Sequence, residues 1–184
     1  MQQDTTDAIA AAFFEELAQV GYGRLSIEAV ARRAGAGKAA VYRRWPSKLA
    51  MTAELTSAVA VAAIDVPDTG TLHGDIEGYL KNGHAALVHS LAAKIIPDLL
   101  AETFRNPELA EVLKNTVRDP RRVKATQIVQ RAIRRGELGR DVDIDMCLDF
   151  LAGPLYWRIT VIQTPTGADY FTRLTERIIA AMKA

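Results

Sequence analysis

Apolar side chains recur at every third or fourth residue along almost the whole chain, and that period decides what the chain can fold into. Ile9, Phe13, Leu17 and Val20 form one such stripe, Ile76, Leu80, Leu87 and Leu91 another, and Tyr170, Phe171, Leu174, Ile178 and Met182 a third. This spacing gathers side chains on one side of an α-helix, whereas a half-buried strand needs strict alternation. No stretch alternates convincingly, and there is no internal repeat or low-complexity tract. The expectation is an all-α chain of about nine helices.

The breaks between helices are written in glycine, proline and capping residues. Gly21-Tyr22-Gly23 ends the first helix, and Ser26 caps a short second one with Ile27, Val30, Ala31 and Ala34 inward. Gly35-Ala36-Gly37 is a tight break before a third helix over residues 38–45, which Pro46 stops. Ser47 caps a fourth, running from 48 to about 64. DVPDTG, residues 65–70, is a turn or linker. Pro97 kinks the segment that follows, and Asn106-Pro107 interrupts it. Asp119-Pro120 reads as the start of a helix that runs to Arg135 and ends at Gly136. Asp141, Asp143 and Asp145 precede an apolar helix that contains Pro154 and reaches about Gln163; a turn at 164–167 leads to the last helix.

RRAGAGKAAVYRRWPSK, residues 32–48, pairs a glycine-flanked lysine with six cations and so suggests a phosphate site. A nucleotide-cradling loop would need glycine where Arg32 stands, a hydroxyl where Ala39 stands and a buried strand before it. All three requirements fail. Two short helices joined by a glycine-containing turn instead make a helix-turn-helix, whose second helix enters the DNA major groove. Between residues 21 and 50 there are seven cations (Arg24, Arg32, Arg33, Lys38, Arg43, Arg44, Lys48) and one acid, Glu28, a net +6. The whole chain is +1, so the remainder sums to −5. Charge alone is also what a solvated face carries; the helix-turn-helix spacing favours a local nucleic-acid surface.

SIEAVARRAGAGKAAVYRRWPSK resembles the signature of the tetracycline-repressor-like (TetR) transcriptional regulators. The match is carried by Ser26, Ala34-Gly35, Tyr42, Trp45, Pro46-Ser47 and Lys48, within about residues 5–60. RRGELGRDVDID and LAGPLYWRITV further along look like the ligand-binding half of such proteins. The resemblance implies a three-helix DNA-binding domain over 1–50, a connecting helix over 47–64, and a ligand-binding and dimerisation domain over 51–184. It implies a homodimeric repressor, cytoplasmic, released from a palindromic double-stranded DNA operator by a small molecule. The DNA-facing set is then Ser26, Gly37, Lys38, Ala39, Ala40, Tyr42, Arg43, Arg44 and Lys48.

Each of these has a physical role. Lys38 reaches a guanine edge or a phosphate, and Ala39 and Ala40 permit close approach to the groove. At least one of Arg43 and Arg44 faces DNA. Lys48 adds a cation to helix-terminal N–H groups. Ser26 reads equally well as a cap alone, Tyr42 as a phosphate donor or a core residue, Trp45 as core, and Val41 as packing. Family members often carry Ser or Thr at the place of Gly37 and Gly-Thr at that of Ala39-Ala40. Without those hydroxyls, sequence preference falls to Lys38, the arginines and DNA shape. MQQDTTD is not the basic arm that many members carry.

For the C-terminal half, the resemblance implies a pocket and an interface. Tyr79, His84, Leu87, Phe104, Phe150 and Trp157 are the candidate pocket residues, mixing aromatic surface with polar tips. Each also reads as core. Leu151, Leu155, Ile159, Ile162, Phe171, Leu174 and Ile178 are the candidate dimer face, with ordinary core as the competing reading. The basic run Arg118, Arg121, Arg122, Lys124, Arg131, Arg134, Arg135 and Arg140 reads as the outer face of one helix rather than a second DNA surface.

Enzyme chemistry finds little support. His73, His84 and His89 miss the i, i+4 spacing of metal ligands, and Cys147 stands alone. A calcium loop beginning at Asp141 fails at Met146 and Ala152, so those aspartates read as caps. No catalytic residue, metal or cofactor is expected. The longest apolar run, 58–64, is far short of the roughly 20 residues that span a bilayer, and the N-terminus has no leader pattern, so no membrane association is expected. The competing functional reading is an all-α small-molecule-binding or protein-interaction module that has lost specific DNA reading.

Overall fold

The computed structural model describes residues 2–62 and 65–184. Among them the chain is helical and holds no strand: α1 (Gln2–Arg24), α2 (Ile27–Arg33), α3 (Lys38–Arg44), α4 (Lys48–Ala62), α5 (Leu72–Val88), α6 (Ala92–Thr103), α7 (Pro107–Leu113), α8 (Asp119–Arg134), α9 (Ile144–Tyr156) and α10 (Tyr170–Met182). A π-helical turn, Lys114–Arg118, joins α7 to α8, and α9 continues into a second, Trp157–Ile162. Counting α7 and α8, which the π turn joins without a gap in sequence, as one helix gives the nine expected among the described residues. The expected end of the fourth helix near Ile64 lies outside the described residues.

The breaks fall at the expected residues. Gly21 kinks α1 with φ 74°, Gly35 turns the chain with φ 63°, and Gly136 follows α8 with φ 74° while Glu137 N–H donates back to the Ala132 carbonyl. Ser26 Oγ accepts from Ala29 N–H, Asn106 caps α7 and Asp143 caps α9. Asp119-Pro120 opens α8 as expected, but a π turn rather than a loop leads into it, so the chain stays helical on both sides of the start. Proline has no N–H to give the carbonyl four residues earlier. That carbonyl belongs to Thr116, in the widened π turn, and it accepts from Ser57 Oγ at 2.9 Å instead.

The chain folds as two compact units, Met1–Ala60 with His89–Arg118, and Val61–Val88 with Asp119–Ala184. In the first, Phe13, Leu17, Val30, Val41, Trp45 and Met51 are at most 1% exposed and form one core with Leu99 of α6 and Leu109 of α7. Burying each such side chain contributes about 1.5–3 kcal/mol. The division at residue 50 is one of function, drawn where the DNA-binding motif ends. As compact bodies, α6 and α7 belong with α1, because an apolar stripe does not announce which helix it will pack on.

The second unit is built around Ile76 and Leu80 of α5, Ile128 and Val129 of α8, Leu151 and Leu155 of α9, and Ile178 and Met182 of α10. A charged cluster closes one side of it. Asp75 of α5 is fully buried. Its Oδ1 accepts from the Thr69 N–H at 2.6 Å and the Thr69 hydroxyl at 2.9 Å. Its Oδ2 lies 3.1 Å from Arg135 Nη2 and 3.6 Å from Arg131 Nε. Arg131 also donates to the Pro67 carbonyl. Burial pushes the Asp75 carboxyl up, but the Thr69 and arginine contacts outweigh it and hold the group below the usual carboxylate range.

Candidate nucleic-acid interface

α2 and α3 are each seven residues long and are held by what they bury. Ile27, Val30 and Ala31 point α2 into the first unit's core, and Val41 and Trp45 do the same for α3. With Val41 at 0% and Trp45 at 1% exposure, the opposite side of α3 must face outward. Lys38, Ala39, Ala40, Tyr42, Arg43 and Arg44 are all exposed. Gly37 caps α3 through its backbone alone, its carbonyl accepting from the N–H groups of Ala40 and Val41.

The cations divide into held and unheld. Arg33 is tied to Glu16 at 2.7 Å, Glu15 at 3.4 Å and Gln19. Arg44 pairs with Glu54 at 3.0 Å and lies over the Trp45 ring, so of the two neighbouring arginines it is Arg43 that stays open. Glu54 also takes the Trp45 indole N–H at 3.0 Å. Lys48 is engaged within the protein. Its ammonium donates to the Tyr22 and Gly23 carbonyls at 3.0 and 3.1 Å and sits over the Tyr22 ring, neutralising the C-terminal end of α1. Among the described residues, Arg32 and Arg43 make no ion pair.

Lys38 and Tyr42 converge on Glu28, a residue for which sequence reasoning had found no role. Lys38 Nζ lies 2.8 Å from Glu28 Oε1, and the Tyr42 hydroxyl donates to the same oxygen at 2.9 Å. The Lys38 bond, then the residue's own backbone N–H and then the Tyr42 hydroxyl, hold the Glu28 carboxyl at about 2, so it is ionised at neutral pH. Tyr42 is pushed up, first by its bond to Glu28. Ser26 does cap α2.

The expected pocket residues are not gathered in one place. His84 lines a hollow of about 240 Å³ with Val88, Ile159, Gln163, Thr164, Pro165 and Thr166. Its Nε2 is 3.3 Å from Thr166 Oγ1, and its ring stacks edge-on against Phe171 at 5.3 Å. Phe150 lines a different groove, of about 510 Å³, between α9 and the end of α10. Tyr79 and Leu87 pack against the second unit's core. Trp157 is 57% exposed, and Phe104, in the first unit, is 92% exposed and lines neither hollow.

The residues of the expected dimer face differ in burial. Leu151, Leu155 and Ile178 are 1%, 4% and 3% exposed, buried in their own protomer. Ile159, Phe171 and Leu174 are half-buried against that core. Only Ile162 is open, and it lies beside Trp157 and Val161 on the second π-helical turn, each about half exposed. The basic run on α8 is partly internal: Arg122 bonds Asp145 and Asp149 at 2.8 Å each, while Arg131 and Arg135 serve Asp75.

Comparison with known proteins agrees with this architecture. Residues 5–55 match the family described as bacterial regulatory proteins, tetR family, and residues 66–178 match the tetracyclin repressor-like C-terminal domain. The chain is 36% identical over 168 residues to an HTH-type transcriptional regulator of Mycobacterium bovis, Mb1581, covering 89% of this chain and 80% of that one. It is 30% identical over 179 residues to the DNA-binding transcriptional repressor TetR of Mycobacteroides abscessus, covering 95% and 92%. Among solved structures, the TetR family transcription regulator SCO0332 superposes with a TM-score of 0.75 at 24% identity, covering 96% of this chain and 97% of that one.

Proposed function

The chain belongs to the tetR family of bacterial regulatory proteins, and from that premise we propose that it is a homodimeric repressor whose two copies of α3 read the half-sites of a palindromic operator. The observation that carries this is the split face of α3. Val41 and Trp45 anchor the helix, while Lys38, Ala39, Ala40, Tyr42 and Arg43 stand outward. Lys38 and Arg43 supply phosphate or guanine contacts, Tyr42 a phosphate contact, and the alanines close approach to the groove floor. Ser26, Gly37, Arg44 and Lys48 belong to the set by positioning: they cap α2 and α3, brace Trp45 and tie α4 to the end of α1. Two recognition helices then meet successive major grooves about 34–36 Å apart.

The effector site we assign to the hollow beside His84. A small molecule bound there favours one spacing of the recognition helices over the other and so shifts the dimer off its operator. The dimer face we assign to Trp157, Val161 and Ile162. The family is one of regulators, not of enzymes, and no catalytic residue is proposed. No described helix is long and apolar enough to cross a membrane, and operator binding puts the protein in the cytoplasm.

The test is a binding titration on genomic fragments selected by the protein. Salt-sensitive, palindrome-selective binding that falls with Lys38→Ala and Arg43→Ala together is expected. Binding to no duplex even at low salt favours the module that no longer reads DNA.

A further inference from the structure

Glu28 is the one acid between residues 21 and 50. It stands in the first turn of α2 with 42% of its side chain exposed. A single oxygen, Oε1, receives both the Lys38 ammonium at 2.8 Å and the Tyr42 hydroxyl at 2.9 Å. The Lys38 ammonium also lies 5.5 Å from the centre of the Tyr42 ring, so the three groups form one cluster on the outward side of α3. A cation and a hydroxyl converging on one anionic oxygen is what a DNA phosphate asks of a protein surface.

The other acids near this face do different work. Glu15 and Glu16 hold Arg33, and Glu54 holds Arg44 and the Trp45 indole, which fastens helices to one another. Glu28 alone engages groups that the DNA-facing reading of α3 leaves for the duplex. Resting on that reading, we infer that Glu28 is an intramolecular stand-in for a DNA phosphate, holding Lys38 and Tyr42 in the free protein and yielding them when a duplex docks.

The consequence is a penalty on every duplex alike. Displacing Glu28 is required whatever the base sequence, so it lowers specific and non-specific affinity by the same factor. That factor is small, about two- to fivefold, because an exposed ion pair is weak. It acts as a uniform brake, keeping the protein from accumulating on random DNA.

Glu28→Gln keeps the shape and removes the charge; Glu28→Ala replaces it if the glutamine variant fails to fold. Fluorescence anisotropy with a random-sequence duplex over a salt series reads the effect. Binding about threefold tighter is expected, with a plot of log K against log salt steeper by up to about one ion. Both gains should shrink in a background carrying Lys38→Ala and Tyr42→Phe. Glu15→Gln, a neutralised acid on α1, should show neither. The ratio of affinities for a genomic fragment selected by the protein and for the random duplex should not move. Unchanged or weaker binding overturns the inference. So does a gain that survives the double background, which is a general field effect, or a shifted ratio, which marks Glu28 as a base reader. If Arg43→Ala also leaves duplex binding untouched, the DNA-facing reading of α3 falls as well; if Arg43→Ala weakens binding and Glu28→Gln does nothing, only the inference falls.

Discussion

The carboxylate of Asp98, in the middle of α6, accepts a hydrogen bond from the backbone N–H of Tyr22 at 2.8 Å, seventy-six residues away in sequence. The bond lies at the kink of α1, where Gly21 has φ 74° and a Cβ would come within 2.5 Å of Asp98 Oδ1. Lys48 closes the other side on the Tyr22 and Gly23 carbonyls. Gly21→Ala is therefore expected to cost roughly 2 kcal/mol, from left-handed strain and the clash together. Asp98→Ala is expected to cost about 1.5–3 kcal/mol, the worth of a hydrogen bond to a charged group. Urea unfolding of both variants checks this; a change under about 0.5 kcal/mol in both would mean the joint carries no load.

Two arginines of the helix-turn-helix should behave differently on DNA. Among the described residues Arg43 makes no ion pair, whereas Arg33 is engaged by Glu15, Glu16 and Gln19. Arg43→Ala is expected to weaken binding to any duplex and to reduce the salt slope by about one. Arg33→Ala should leave the slope unchanged. Equal losses for the two would contradict the division into held and unheld cations.

Asp75 makes the second unit sensitive to acid. Its carboxyl is held below the ordinary value, so the stability it contributes is fully present above the unfolded-state pKa, near 4, and is lost as pH falls through the folded value. Asp75→Asn removes the charge facing Arg131 and Arg135 and is expected to cost about 3 kcal/mol at neutral pH. Thermal melts between neutral pH and pH 3 should fall less steeply for the variant than for the wild type. Parallel curves would exclude Asp75 as a source of the acid sensitivity.

Association and stability should separate on α9 and its continuation. Trp157, Val161 and Ile162 are exposed, so replacing all three with serine should leave the fold intact and give a monomer at micromolar concentration by sedimentation. Leu151→Ala, at a residue 1% exposed, should instead lower stability by about 2–5 kcal/mol. A dimer that survives the triple substitution places the interface elsewhere.

What could be read in advance was local. Gly21, Gly35 and Gly136 turn the chain at positive φ, which favours glycine, and Ser26, Asn106 and Asp143 cap the helices that follow them. The α2–turn–α3 spacing was equally plain. Other features depend on which partner a side chain meets across space. Leu151 and Ile162 share one apolar period, yet the first is covered by its own chain and the second is not. Glu28 looked like an ordinary first-turn acid until residues ten and fourteen positions later closed on it. Asp75 gave no sign of burial, since only folding brings α8 and the 65–70 turn around it. Pro120 marked the start of α8, but not the π turn that leads into it, because the sequence does not show that Ser57 would take up the carbonyl Pro120 leaves without a donor.

The opposite burial of Trp45 and Trp157, the two tryptophans of the chain, gives each compact unit its own optical reporter. Trp45 should emit toward the blue and shift red only when the first unit melts. Trp157, already wet in the isolated protomer, should move the other way when a second copy covers it. Two single-tryptophan versions, each with the other replaced by phenylalanine, would follow unfolding and assembly separately in one cuvette.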